Sequence, residues 1–171
     1  MTASAPAIRE ANTEDSEEIV RLGELMYLAV GTVADDAWRA NALRQVRSRL
    51  GGGDLFGWVI DADADAGERP GLAASALVNW SPRLAPPSQS ADWRPYIQWV
   101  STDRAYQRRG YARLLMLKVL EYCDGRGVDV IELHSSPFGR DLYIELGFVE
   151  SPAVQYPPEV LGVPMSRRRG S

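Results

Sequence analysis

This 171-residue chain predicts an α/β fold (an α+β mixed sheet) on three observations. First, Tyr96-Ile97-Gln98-Trp99-Val100-Ser101-Thr102 is rich in aromatic and β-branched residues, as a strand should be. A short polar turn then leads into residues 114–123, which hold no Gly or Pro and mostly good helix formers. Second, residues 128–134 read as another strand, and a helical crossover between two strands makes them parallel. Third, apolar stretches at 55–61 and 71–79 flank a polar turn at 63–70 and read as an antiparallel hairpin. Both kinds of pairing in one chain give a mixed sheet with helices on both faces.

Taken in order, residues 7–10 form a short first strand. Thr13 is placed as an N-cap, with Glu14, Asp15 and Glu17 adding negative charge to the first turn. Ile19, Leu22 and Met26 recur at helical spacing, so a helix runs from about 14 to about 28. Gly31-Thr32 breaks it. A second helix covers 35–50, where Trp38, Ala42, Val46 and Leu50 recur every fourth residue. Arg39, Arg44, Arg47 and Arg49 mostly take the other sides. Gly51-Gly52-Gly53 follows a helix instead of opening one, so it reads as a C-cap and turn, not a phosphate loop.

Residues 81–95 carry Pro82, Pro86, Pro87 and Pro95. This segment exceeds the usual hairpin loop of roughly 2–5 residues. It is either a specificity loop on a rigid scaffold or simply a variable stretch. The helix at 110–124 is apolar nearly all round, with Arg113, Lys118, Glu121 and Asp124 as a polar stripe, so it is expected to be largely buried. Gly125-Arg126-Gly127 stops it. Ser136-Pro137 reads as N-cap and first helical position, with Phe138, Leu142 and Leu146 as the core stripe. Gly147 is placed for a C′ cap, and Phe148-Val149 starts another strand. Residues 153–156 offer a last strand weakened by Pro152 and Pro157-Pro158. From Met165 onward, with Arg167-Arg168-Arg169, the chain reads as a frayed basic end. The expectation is one domain over 1–171, with a core at about 7–157 and a tail at 158–171. It has six to seven strands and four helices.

Composition narrows the function classes. The formal net charge is −4, with 45% hydrophobic and 25% charged residues, so bulk attraction to nucleic acid is not expected. No apolar run reaches bilayer length, and residues 1–6 lack the features of a signal peptide. The expectations are a cytoplasmic protein and no membrane partner. Cys123 is the sole cysteine, which rules out an internal disulfide and fits a reducing compartment. Its helix makes it a buried small hydrophobe before a nucleophile. His134 is the sole histidine, so a multi-histidine metal site is unsupported and no metal is expected.

The chemistry concentrates in Gln107-Arg108-Arg109-Gly110-Tyr111-Ala112, where strand hands over to helix. The first N–H groups of a helix lack intrahelical partners, and its dipole puts partial positive charge there. Such a turn suits an anion, above all a phosphate. Gly110 lets the backbone approach a ligand without a Cβ, and Gln107, Arg108 and Arg109 add donors and charge. Alone, the hexapeptide fits an ordinary solvated strand-helix connection equally well.

The hexapeptide resembles motif A of the GCN5-related N-acetyltransferases (GNAT), [Q/R]-x-x-G-x-[G/A]. Leu142-Tyr143-Ile144-Glu145-Leu146-Gly147-Phe148 resembles the family's LY-x-x-x-GF segment. The opening I-R-x-A-x-x-x-D is also similar to how many members begin. The resemblance covers most of the chain, from Ile8 to about Tyr156, and implies the GNAT-like fold. It implies acetyl-CoA as cosubstrate, with its pyrophosphate on Gln107, Arg108, Arg109, Gly110, Tyr111 and Ala112. The pantetheine arm would lie in a gap between the fourth and fifth strands, paired with main-chain groups of Val100, Ser101 and Thr102. The family often has Pro where Arg104 stands, which puts the turn's rigidity in question.

The resemblance further implies direct attack of a neutral amine on the thioester, with Tyr143 protonating the leaving thiolate. Helical spacing puts 136, 139, 140 and 143 on one face, which fits that role. A packing tyrosine fits the position too. Ser136 lies near where relatives often carry a cofactor-contacting Asn, and it departs from that pattern. His134 is either a base, a cleft residue or simply structural. Some relatives carry a basic Glu early in the fourth strand. Here that position is Tyr96, with Asp92 four residues earlier, and no base is assigned. The leading function is therefore an acetyl-CoA-dependent N-acetyltransferase acting on a small-molecule or peptide amine. The alternative is a non-catalytic acyl-CoA-binding or regulatory module of the same fold. An ATP-binding protein is disfavoured because no G-x-x-x-x-G-K-[S/T] is present. A homodimer is compatible with all of these.

Overall fold

The structure is a computed structural model and describes residues 6–63, 71–82, 84, 87, 93–151 and 162–169. Among these, the strands are β1 (Ile8–Glu10), β2 (Leu55–Asp61), β3 (Leu72–Pro82), β4 (Trp93–Thr102), β5 (Val130–Ser135), β6 (Val149–Glu150) and β7 (Val163–Arg168). The helices are α1 (Ser16–Ala29), α2 (Asp36–Gly52), α3 (Tyr111–Gly125) and α4 (Arg140–Glu145), with 3₁₀ turns at Thr13–Asp15 and Arg104–Tyr106. The seven strands form one sheet in the order β1-β2-β3-β4-β5-β7-β6. It is mixed: β1 pairs antiparallel with β2, and β4 pairs parallel with β5. The chain divides into two compact units, and the described residues of each fall within 1–77 with 99–119 and within 78–98 with 120–171.

In the first unit, Asn12, not Thr13, is the first cap. Its side chain accepts from Glu14 N–H while Asp15 accepts from Asn12 N–H, a closed capping box. That box sets a 3₁₀ turn first, so α1 begins at Ser16. The α2 expectation holds more closely. Asp35 caps it through Trp38 N–H, and Gly53 ends it with φ 78°. Ala42 and Val46 of its stripe are buried with Ile19, Leu22, Val59 and Leu77. At Trp99 the backbone of β4 takes φ 52°, which a bulky residue rarely adopts. The ring is held by Trp38 (centroids 5.8 Å) and Tyr27 (6.3 Å). A Cβ on Gly23 of α1 would come within 2.8 Å of that ring, so the helix can pass there only as glycine.

In the second unit, three readings of the sequence are corrected. Residues from Met165 are not a frayed end. Val163–Arg168 is a strand that pairs antiparallel with β5, from Val130↔Arg168 to Ser135↔Val163, and also with β6. Met165 is fully buried, Arg167 pairs with Asp124 at 3.2 Å, and Arg169 N–H donates to Asp129 C=O. The helix after β5 does not start at Pro137. Ser136 C=O accepts from Gly139 N–H, making a separate turn, and α4 begins at Arg140. Phe138 is therefore 78% exposed and outside the core, while Tyr143 is buried. Residues 81–82 and 93–95, read as loop, belong to β3 and β4. Most of 83–92, including Asp92, and all of 153–156 lie outside the described residues.

The end of α4 follows the sequence reading. Gly147 has φ 87°, Gly147 N–H donates to Ile144 C=O and Phe148 N–H to Tyr143 C=O. These are the two bonds of a Schellman motif, and its accompanying apolar contact is the Tyr143–Phe148 ring pair at 6.0 Å. The LY-x-x-x-GF stretch is thus a helix end that fixes Tyr143 from below. In α3, Leu115, Met116, Val119 and Cys123 are fully buried, but Leu117 is exposed, so the helix is less enclosed than expected.

Candidate functional site

The anion turn belongs to the first unit and is built from its upstream support. Asp103 N–H donates to Ala73 C=O at 2.8 Å, and the Asp103 carboxylate accepts from Ala105 N–H at 3.0 Å. Arg21 of α1 donates to Asp103 at 2.5 Å, to Leu72 C=O at 2.9 Å and to Glu18. Glu18 also accepts from Leu72 N–H at 2.8 Å. Burial works to raise the Glu18 and Asp103 carboxyls, but these hydrogen bonds outweigh it and hold both below the ordinary range. One arginine thus ties α1, β3 and the 3₁₀ turn at Arg104–Tyr106 together just ahead of Gln107.

After it, Arg108 and Gly110 both take left-handed backbone, at φ 65° and 79°. Alternating conformations of this kind turn successive N–H groups toward one side, an anion-binding concavity. Leu114 N–H donates to Gly110 C=O at 3.1 Å, so the N–H groups of Tyr111 and Ala112 precede the intrahelical ladder of α3. Residues 107–110 are exposed. A Cβ on Gly110 would meet no protein atom within 4 Å; its φ, not packing, is what favours glycine there.

The side chains differ from the simple picture of three donors. Gln107 Nε2 donates to Thr102 C=O at 3.4 Å, folding back on the end of β4. The Arg109 guanidinium lies over the Tyr106 ring, 4.8 Å from its centroid, and Tyr106 stacks on Tyr111. Arg109 also donates to Ala105 C=O, and Asp63 lies 3.9 Å from it. Among the described residues Arg108 makes no ion pair. On β4, Val100 and Thr102 are half-buried, whereas Ser101 is buried with its hydroxyl donating to Leu22 C=O at 2.7 Å. The Ser101 hydroxyl is therefore engaged inside the fold.

The second unit brings together three ionisable groups that the sequence separates. Tyr96 Oη lies 2.6 Å from His134 Nδ1. Burial pushes Tyr143 up to about 12, and the nearby Tyr96 adds to the rise. Burial pushes His134 below its ordinary value, with Glu132 acting weakly against it. Sequence reasoning assigned no role to Tyr96. Its signal was present only as a tyrosine at an expected carboxylate position. The Ser136 C=O accepts from Ser135 Oγ and Gly139 N–H, so its backbone is committed to the turn before α4. Cys123 is fully buried and its thiol is pushed up to about 12 by burial, in keeping with an inert core residue.

Comparison with known proteins falls on this geometry. Residues 88–169 match the acetyltransferase (GNAT) domain family. No curated protein matches the chain. A predicted acetyltransferase from Clostridium acetobutylicum, solved with acetyl-CoA, is 17% identical over 91% of this chain and 96% of its own, with a TM-score of 0.74. A GCN5-related N-acetyltransferase from Ralstonia eutropha is 25% identical over 91% and 99%, with a TM-score of 0.70. The PaiA N-acetyltransferase from Thermoplasma acidophilum, in complex with coenzyme A, is 12% identical over 96% and 99%, with a TM-score of 0.67. Among the described residues no helix is long and apolar enough to cross a membrane.

Proposed function

We propose that this chain, which matches the GNAT acetyltransferase domain over residues 88–169 and resembles it in fold, passes the acetyl group of acetyl-CoA directly to a primary amine. The observation that carries this reading is the left-handed pair Arg108 and Gly110 at the start of the 15-residue helix α3. The pyrophosphate takes the N–H groups of 108–112, and the arm pairs with main-chain groups of Val100 to Thr102. Acetyl-CoA and coenzyme A bound to the Clostridium and Thermoplasma proteins support that choice of ligand.

Tyr143 acts as the acid. A thiolate leaving the tetrahedral intermediate needs a proton, and a phenol pushed up to about 12 stays protonated at neutral pH until sulfur demands it. Ser136 serves the cofactor through its side chain alone, since its carbonyl is engaged. The buried Cys123, with its raised thiol, takes no part, so no acetyl-enzyme forms. The test is free-thiol release from acetyl-CoA against a panel of primary amines, with coenzyme A affinity from calorimetry. Binding without release by any amine would reduce the protein to an acyl-CoA-binding module. No binding would end the reading.

A further inference from the structure

Direct acetyl transfer has a proton balance that Tyr143 alone does not close. An ammonium carries three N–H bonds and the amide product one, so two protons must leave. One ends on the sulfur of coenzyme A. The other needs an acceptor before attack, because a protonated amine has no lone pair. Among the described carboxylates of the second unit, Glu132 is paired with Arg94 at 2.9 Å and Glu150 with Arg140 at 2.5 Å.

The sheet offers a different acceptor. In the parallel β4–β5 ladder Tyr96 stands opposite Glu132, so both side chains leave the same face. His134, two residues along β5, shares that face by strand alternation. Register therefore delivers the Tyr96 hydroxyl to the imidazole, and the two meet at Nδ1 across 2.6 Å. Both residues are half-buried, which leaves the Tyr96 hydroxyl side open to substrate, while the Nε2 edge of His134 is buried.

We propose that Tyr96 and His134 form a proton relay that deprotonates the acceptor amine, an inference that rests on the transferase reading above. Tyr96 is the catalytic residue and His134 the positioning residue behind it. The neutral imidazole holds its proton on Nε2, and Tyr96 O–H donates to Nδ1. As the ammonium passes a proton to Tyr96 Oη, the phenol proton moves to Nδ1. This leaves a neutral amine, an intact tyrosine and an imidazolium, which hands its Nδ1 proton back through Tyr96 to water once the product has left. The second amine proton, lost as the tetrahedral intermediate collapses, replaces the one Tyr143 gives to sulfur. Atoms and charge balance without a metal or a further reactant.

The surroundings suit this division. Among the described residues, those beside His134 include Tyr96 on β4, Glu132 on its own strand and, opposite on β7, the uncharged Pro164; Glu132 is paired with Arg94. Burial keeps the imidazole neutral at pH 7, while burial and Tyr96 keep Tyr143 protonated. Two groups pushed in opposite directions within one unit are how a site runs base and acid at one pH.

The experiment uses two amines and the full chain. Ethylamine is charged at pH 7 and needs the relay; trifluoroethylamine is already neutral and does not. Y96F and H134Q should each slow free-thiol release with ethylamine by about 10²-fold, the lower end of acid–base contributions, and leave trifluoroethylamine within about threefold. The wild-type kcat with ethylamine should fall on the acid side of the ordinary histidine value, and that limb should vanish in H134Q. Equal losses on both amines, or no loss on ethylamine, overturn the relay. Because His134 is the only histidine, its imidazole ¹⁵N resonances need no assignment. Y96F should shift Nδ1 and change the titration, and an unmoved resonance would overturn the hydrogen bond itself. If wild type binds coenzyme A but acetylates neither amine, the relay falls. If it does not bind coenzyme A, the transferase reading falls first.

Discussion

Gly110→Ala separates backbone strain from ligand contact. Gly110 holds φ 79° and a new Cβ would meet nothing within 4 Å, so the apo protein loses only conformational comfort. Placing alanine in left-handed backbone costs about 1–2 kcal/mol. For a chain of this size each kcal/mol lowers Tm by about 2–4 °C, so a fall of roughly 2–8 °C is expected. Gly53 provides a matched control: it ends α2 with φ 78° and equally open space. Gly53→Ala should therefore lose about the same Tm. The two must part on ligand affinity. A methyl group among amides that meet the pyrophosphate should weaken coenzyme A binding at least tenfold, about 1.4 kcal/mol, in Gly110→Ala alone. Calorimetry with coenzyme A and thermal unfolding of both variants are the assays. Matched Tm losses with unchanged affinity in Gly110→Ala would refute the placement of the pyrophosphate.

Tyr143→Phe keeps the ring on Phe148 and should lower kcat by about 10²-fold with little change in coenzyme A affinity; a kcat within a factor of about two would exclude the hydroxyl as acid. Arg108→Ala should weaken coenzyme A binding more than Arg109→Ala, because the Arg109 guanidinium is occupied by Tyr106; calorimetry that reverses this order would reject it. Acid should destabilise the Arg21 network. Glu18 and Asp103 titrate lower when folded than when unfolded, so their stabilisation is present above about pH 4, the ordinary carboxylate value, and is lost as pH falls through the folded values. Urea midpoints between pH 7 and pH 3 should therefore drop further in wild type than in Arg21→Gln. Mass spectrometry after incubation with acetyl-CoA alone should find no adduct on Cys123.

What could be read from sequence was local in cause. The turn at 107–112 announces itself through one glycine and a helix start, and Gly147 through a helix end; both need only neighbouring residues. Asp35 and Gly53 bracket α2 for the same reason. The last strand was hidden because Val163–Arg168 buries only Met165 fully and carries Pro164 and two arginines, a poor strand by propensity. It exists because β5 and β6 pair with it on either side. Ser136-Pro137 mimicked a helix start, yet the bond from Gly139 closed a separate turn and turned Phe138 out. Tyr96 and His134 stand 38 residues apart, and only the β4–β5 register brings them together.

The position of β7 has a consequence for synthesis. Among the described strands it comes last in chain order, yet in the sheet it lies between β5 and β6. Until residues 163–168 emerge, β5 offers a row of unpaired amides and carbonyls to any strand that passes. Nascent chains stalled before residue 163 should therefore be sticky in a way that the finished protein is not. A trailing segment that slots into a waiting gap also makes this region a natural place for two chains to trade strands when folding is crowded. Placing a bulky tag close behind Arg168 would act at that moment of closure, before any catalytic property could be measured.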